Sequence, residues 1–206
     1  MARPRSDDRR KAILSAATRV IATSGLGAAT AVIAKEAGVS NGSLFVYFET
    51  KAALVNEVYL ALKTEMAAAA IIGLPSGREP REQMFHVWTQ WMRWATSHPE
   101  KRRALAQLGV SDEVTAESHR TAGEAFSGIA KLFELSRTDG PMHDAPLGLV
   151  LSLTNAVAEA TIDAMISEPA EAGAHSIVGF EAMWRVLAWS PSPPDPYQLP
   201  TAKAST

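Results

Sequence analysis

The chain has 206 residues, 47% of them hydrophobic, with 20 basic and 22 acidic residues, the composition of an ordinary globular protein rather than a disordered or fibrous one. A chain of this length buries roughly 70% of its unfolded surface, so no covalent scaffold is needed. The absence of cysteine excludes thiolate zinc sites, iron–sulfur clusters, thiol nucleophiles and disulfides together. The net charge of −2 is unevenly spread: residues 1–51 carry 8 Lys and Arg against 4 Asp and Glu, and residues 52–206 carry 12 against 18. A basic head on an acidic body can present a phosphate-binding face without a basic isoelectric point.

The most apolar uninterrupted stretch, Met66 to Leu74, is shorter than the ~20 residues of a membrane helix. The N-terminus, with Arg3, Arg5, Asp7 and Asp8, does not read as an export signal. The expectation is a soluble cytoplasmic protein with no membrane contact. Over residues 6–23, Ile13, Leu14, Ala17, Val20 and Ile21 recur at helical spacing, with Ser6 as the expected cap and Asp7 and Asp8 facing the positive end of the helix. A short helix is expected from Thr30 to Ala37, with Ile33 and Ala34 inward and Gly38 as its terminator.

The next start carries the most local information. Ser40 can cap, while Val39 before it and Leu44 inside it can form a hydrophobic staple. Two short helices joined through Gly38-Val39-Ser40, with a longer helix before them, spell a helix-turn-helix, whose second helix enters the DNA major groove. Leu44 and Phe48 face the core; Gly42, Ser43 and Val46 point away, flanked by Asn41, Phe45 and Tyr47. A long helix from Thr50 or Lys51 runs through Leu54, Val58, Leu62 and Met66 to the Gly73/Pro75 break.

A helix from Pro80 to Ser97 is apolar nearly all round, with Met84, Trp88, Trp91 and Ala95 in one stripe and Phe85, Met92 and Trp94 beside it; such a helix is buried or lines something. A short helix follows around Lys101 to Leu108. Ser111-Asp112-Glu113 is expected to start one helix running through Ala122, Phe126, Ile129 and Phe133 to the Thr138-Asp139-Gly140-Pro141 loop. The last two helices span about 146–167 and 171–189. A loose proline-rich tail covers 191–206.

Gly25-Leu26, Thr30, Ile33-Ala34, Ala37-Gly38-Val39-Ser40, Gly42-Ser43-Leu44-Phe45, Tyr47-Phe48, Lys51 and Leu54 together resemble the N-terminal DNA-binding domain of the tetracycline-repressor (TetR) family, over about residues 9–60. The resemblance implies that Thr30, Tyr47 and Lys51 hold phosphates and that Asn41, Gly42, Ser43 and Val46 face base edges. Ser40 and Phe45 join the same surface, Phe45 standing where the family more often has tyrosine. It also implies a C-terminal domain that binds small molecules.

Bland readings compete with several of these. Arg3 and Arg5 are either solvated charges or a basic arm for the minor groove. Gly38-Val39-Ser40-Asn41-Gly42 satisfies the G-x-S-x-G nucleophile pattern, but a helix precedes it where that mechanism needs a strand. The histidines, His86, His98, His119, His143 and His175, have no metal-ligand spacing. The tryptophan helix either fills a core or walls a pocket between bundle helices.

The sequence thus predicts an all-α protein: a three-helix DNA-binding head with a helix-turn-helix (1–50), a helical-bundle dimerisation and ligand-binding domain (51–190), and the tail. Its expected function is transcriptional repression of a palindromic operator, released by a small apolar effector, with no cofactor, no metal and no catalysis. The effector site is placed at Trp88, Trp91, Met92, Phe126 and Met165. The homodimer is expected through the last two helices, whose stripes are Leu147, Leu151, Thr154, Ala158 and Met165, then Val150, Val157 and Ala164, and on the final helix Ile177, Met183, Trp184 and Leu187. The rivals are a ligand-independent DNA-binding regulator and a cofactor-free helical enzyme using Glu159 and Asp163.

Overall fold

A computed structural model describes residues 3–188, with side chains from Ser6 onward. Among these residues the regular structure is entirely helical: α1 (Arg3–Ser24), α2 (Thr30–Glu36), α3 (Asn41–Tyr47), α4 (Lys51–Ile71), α5 (Pro80–Ser97), α6 (Pro99–Gly109), α7 (Ala116–Ala125), α8 (Ser127–Arg137), α9 (Leu147–Ser167) and α10 (Ala172–Ala188), the last preceded by a 3₁₀ turn at Pro169–Glu171. The expected tail at 191–206 lies outside the described residues.

The head forms as its local signals require. Gly38 has φ +67°, and the Gly38 and Val39 amides donate to the carbonyls of Lys35 (3.1 Å) and Ala34 (2.9 Å), the paired bonds of a Schellman ending. Two residues later the Ser40 hydroxyl accepts from the Ser43 amide at 3.0 Å and starts α3. Ile13, Ala17, Val20, Ile21, Ile33, Ala34, Leu44 and Phe48 close over one core, as the helical spacing demands. Arg19 Nε donates to Glu36 Oε1 at 2.9 Å and ties α1 to α2. Arg10 pairs with Glu57 and lies 5.1 Å above the Phe48 ring. This core does not stop at residue 50: it continues through Leu54, Val55, Val58 and Leu62 of α4 and takes in Ala104 and Leu108 of α6.

A second core joins the far end of α4 to α5, α8, α9 and α10 around Met84, Trp88, Phe133, Ile162, Phe180 and Met183. Trp88 Nε1 donates to the Ser176 carbonyl at 2.9 Å, locking α5 to α10. Gly179 lets α10 meet α9 closely, since a Cβ there would come within 2.7 Å of Thr161 Cγ2.

Several expectations are corrected. The first helix begins at Arg3, so Ser6 lies inside it and is not its cap; Pro4 has a φ suited to a first turn. Arg3 and Arg5 are therefore helical in backbone rather than part of an extended arm, and their side chains lie outside the described residues. The helix expected from Ser111 to Arg137 is two helices. Thr115, accepting from the Ser118 amide at 3.1 Å, is the true cap, and the chain breaks at Phe126 (φ −98°, ψ 5°), between Gly123 and Gly128, which weaken helix there.

α9 is also long and apolar enough by length and composition to cross a membrane, with mean hydropathy 1.4 over its most apolar window, which the Met66 to Leu74 run did not foretell. In this fold its Val150, Thr154, Ala158, Thr161 and Ile162 are buried and it packs on α10 and α5. The surplus apolar face of the late helices is not quite the expected one. Of the expected stripes, Val150, Thr154, Ala158, Met183 and Leu187 are buried, whereas Leu151 and Ile177 are exposed, together with Leu149, Leu153, Ile166, Val178 and Val186, which were not in them.

Candidate nucleic-acid interface and bundle cavity

One face of α3 is free of the core. Asn41, Gly42, Ser43, Phe45 and Val46 are exposed, with Val46 82% accessible, while Leu44 and Phe48 are buried behind them. A seven-residue helix with a glycine and a serine in its first turn and an outward valine fits a major groove, small residues admitting the helix and the valine methyls meeting a thymine methyl.

Around it the residues expected at phosphates hold different positions. Tyr47 is half-buried and packs its ring on the head core. Thr30 is half-buried at the first position of α2. Lys51, at the first position of α4, donates from Nζ to the Leu26 carbonyl, so it braces the loop after α1 and has two N–H donors left for a phosphate. Ser40 spends its hydroxyl locally, accepting from the Ser43 amide and bonding Ser43 Oγ at 2.8 Å. It shapes the start of α3 more than it faces outward.

The second site is a cavity of about 950 Å³ between α4, α5, α6, α7, α8 and α9. Trp88, Trp91 and Phe126 line it, as expected, together with Met84, Val87, Trp94, Ile129 and Phe133. Met92 and Met165 do not: Met92, 1% exposed, points into the second core, and Met165 packs on that core two turns of α9 beyond the nearest lining residue. The helical period separates them from the wall, since α5 presents Met84, Val87, Trp88, Trp91, Trp94 and Ala95, a stripe that Met92 misses by about 100°.

Sequence reasoning missed the polar wall: Tyr59, Lys63, Arg102, His119, Asn155 and Glu159. Tyr59 OH and His119 Nδ1 are hydrogen-bonded at 2.9 Å, and burial raises the Tyr59 pKa. Arg102 spans α6 to α9. Its Nε donates to Glu159 Oε2 at 2.8 Å and its Nη2 to Asp163 Oδ1 at 2.7 Å. Burial would lower its pKa, but the bonds to Asp163 and Glu159 outweigh that and raise it. The carboxylate pair Glu159 and Asp163 is thus an inter-helix brace. Burial lowers the Lys63 pKa, partly offset by the charge of Glu159. A signal for Lys63 existed in the sequence: Tyr59, Lys63, Met66 and Ala70 form one i, i+4, i+7, i+11 stripe, and a lysine on an inward stripe is out of place unless something meets it.

The head has the form of a helix-turn-helix DNA-binding module, and an all-helical body with a cavity follows it. Residues 13–58 match the family described as bacterial regulatory proteins, tetR family. The chain superposes on a TetR family transcription regulator of Shewanella sp. PV-4 with TM-score 0.80 and 24% identity, covering 88% of this chain and 99% of that one. It matches another from Marinobacter aquaeolei VT8 with TM-score 0.76 and 22% identity over 90% and 98% of the two chains. The transcriptional regulator FadR of Bacillus subtilis, solved in complex with stearoyl-CoA, is similar at TM-score 0.63 and 16% identity over 84% and 96%. The tetR-family match thus covers the N-terminal domain, and the chain as a whole has the fold of these solved structures.

Proposed function

We propose that the protein is a transcriptional repressor that binds a palindromic operator as a homodimer in the cytoplasm and is released by a small, largely apolar effector. Asn41, Gly42, Ser43 and Val46 read base edges; Thr30, Tyr47 and Lys51 hold phosphates. The observation that carries this reading is that α4 and α6 each touch both the head and the cavity: α4 starts at Lys51 beside α3 and lines the cavity with Tyr59, Lys63 and Met66, while α6 packs on α1 and lines the cavity with Arg102 and Leu105.

An effector preferring one placement of these helices shifts the spacing of the two heads, and operator release follows only to the extent of that preference. FadR of Bacillus subtilis, with its stearoyl-CoA, supports a ligand with an apolar chain for a body of this fold. A ligand-independent regulator is the weaker reading, because a fully packed body would favour it and this body holds a cavity of about 950 Å³. The enzyme reading is weaker still, since Arg102 occupies both Glu159 and Asp163.

The test is a random-oligonucleotide selection with the full chain, followed by a compound screen on the selected DNA. The expected result is a two-fold symmetric site and compounds that release it while quenching tryptophan emission, three of the five tryptophans lying on α5. Recovery of no preferred sequence sinks the repressor reading. Quenching that survives replacement of Trp88, Trp91 and Trp94 by Phe moves the effector elsewhere.

A further inference from the structure

We propose that the cavity takes a monoanionic amphiphile, a carboxylate on an apolar body, with its acid head at Lys63 and its body against Trp88, Trp91 and Phe133. This rests on the cavity being a ligand site and specifies the class of ligand.

The argument begins with where the charges stand. Lys63 projects from α4 into a wall that is otherwise mostly aromatic and aliphatic. Its Nζ lies 5.8 Å from the Tyr59 ring centroid and 5.7 Å from that of Phe126, so aromatic faces flank the ammonium. An ammonium has three N–H donors, and among the described residues none of them is accepted and no carboxylate pairs with it. Glu159, the nearest compensating charge, is held by Arg102 through Nε at 2.8 Å and through Nη2. Arg102 is further held by Asp163, whose side chain is 70% exposed and faces solvent rather than the cavity. The cavity wall therefore carries two cations, Lys63 and Arg102, against one carboxylate, Glu159.

Burial disfavours the charged form of Lys63, the cost of an ammonium out of water without a full partner. A carboxylate head offsets that cost by accepting from Nζ, since a charge-assisted bond is stronger than a neutral one. A cationic head would face two cations. A dianionic head such as a phosphate monoester would set its second charge against Glu159. A neutral head leaves the ammonium as it is. A single negative charge completes the balance, and the volume of about 950 Å³ leaves space behind the head for an extended apolar body.

The test uses the full chain and three probes sharing one ten-carbon body: decanoate, 1-decanol and decyltrimethylammonium, each below its micelle concentration. Binding is read by tryptophan emission and by calorimetry. Decanoate should bind at least about tenfold tighter than decanol, and the cation more weakly than either. Lys63→Met, which keeps length and apolar volume, should bring decanoate down to the affinity of decanol while leaving decanol unchanged; Lys63→Arg should retain the preference.

Decanol binding wild type as tightly as decanoate overturns the proposal, as does a decanoate preference that persists in Lys63→Met. Should Lys63→Met fail to fold, the wild-type comparison still decides. No binding by any probe overturns it too, and with it the cavity as a ligand site. Decanoate binding that depends on Lys63 but leaves operator DNA bound sustains the head-group assignment while removing the effector role.

Discussion

Lys51 has two tasks in the head. It braces the Leu26 carbonyl and is proposed to hold a phosphate. Lys51→Ala should weaken binding to every DNA sequence and lower the salt slope by about one, whereas changing Ser43 or Val46 should shift preference by about 1–3 kcal/mol at one base position. Gel shifts over a salt series distinguish the two patterns, and the phosphate assignment is wrong if Lys51→Ala and Tyr47→Phe both leave affinity and slope unchanged. Glu65 offers a titration. Burial would raise its pKa, but hydrogen bonds from Lys101 (2.7 Å) and Trp94 Nε1 (2.9 Å) prevail and lower it. A depressed carboxylate stabilises the fold above the usual carboxylate range and loses that contribution as pH falls through its folded value. Glu65→Gln should therefore melt below wild type at pH 7, with the gap closing below about pH 4. A gap constant across that range in thermal melts refutes the assignment.

Between elements, the junction of α9 and α10 shows how a small residue sets a distance. Gly179 sits where a Cβ would collide with Thr161 Oγ1 and Cγ2, and Thr161 is itself held, donating to the Val157 carbonyl at 2.8 Å. Gly179→Ala should cost about 1–3 kcal/mol through overpacking, although alanine is the better helix former. Pairing it with Thr161→Ala should recover most of that loss, a coupling measurable by denaturant unfolding of the four-member cycle; additive losses would show that the contact is not the cause. The break at Phe126 is of the same kind: a continuous α7 and α8 would satisfy the apolar spacing equally well, and where Gly123 and Gly128 weaken the helix, the packing of α7 on α4 and of α8 on α5 and α10 selects the bend that turns Phe126 to the cavity.

For the complete protein, the exposed face of the late helices is the feature that one chain leaves unsatisfied. Leu149 is 50% and Val178 67% accessible, with Leu153, Ile166, Ile177 and Val186 also exposed, and large apolar side chains left in water on two neighbouring helices are what an interaction site offers. We propose that two copies pair there by a two-fold axis into a four-helix bundle. Sedimentation at low micromolar concentration should give a dimer for wild type and a monomer for Leu153→Glu with Val178→Glu, and the monomer should bind a two-fold DNA site far more weakly. A wild-type monomer that still binds such a site with full affinity rules the pairing out.

The head was legible from the sequence because its determinants are local. Ser40 caps within three residues, Gly38 and Val39 end α2 through bonds reaching three and five residues back, and Leu44 and Phe48 share a face by helical period alone. These depend on neighbours in the chain, and α2 and α3 stand where they were expected. The tryptophan stripe of α5 was legible for the same reason, but not its use: Trp88 and Trp91 wall a cavity while Met92 fills a core, a division set by which helices lie on either side. Apart from the inward place of Lys63 on its own helix, the polar wall belongs to tertiary structure. Lys63, Arg102 and Glu159 come from three helices separated by dozens of residues, and no spacing rule connects them. Folding brings these groups within reach of one another, so that the bonds of Arg102 to Glu159 outweigh the cost of burial while Lys63 is left facing the cavity without an acceptor.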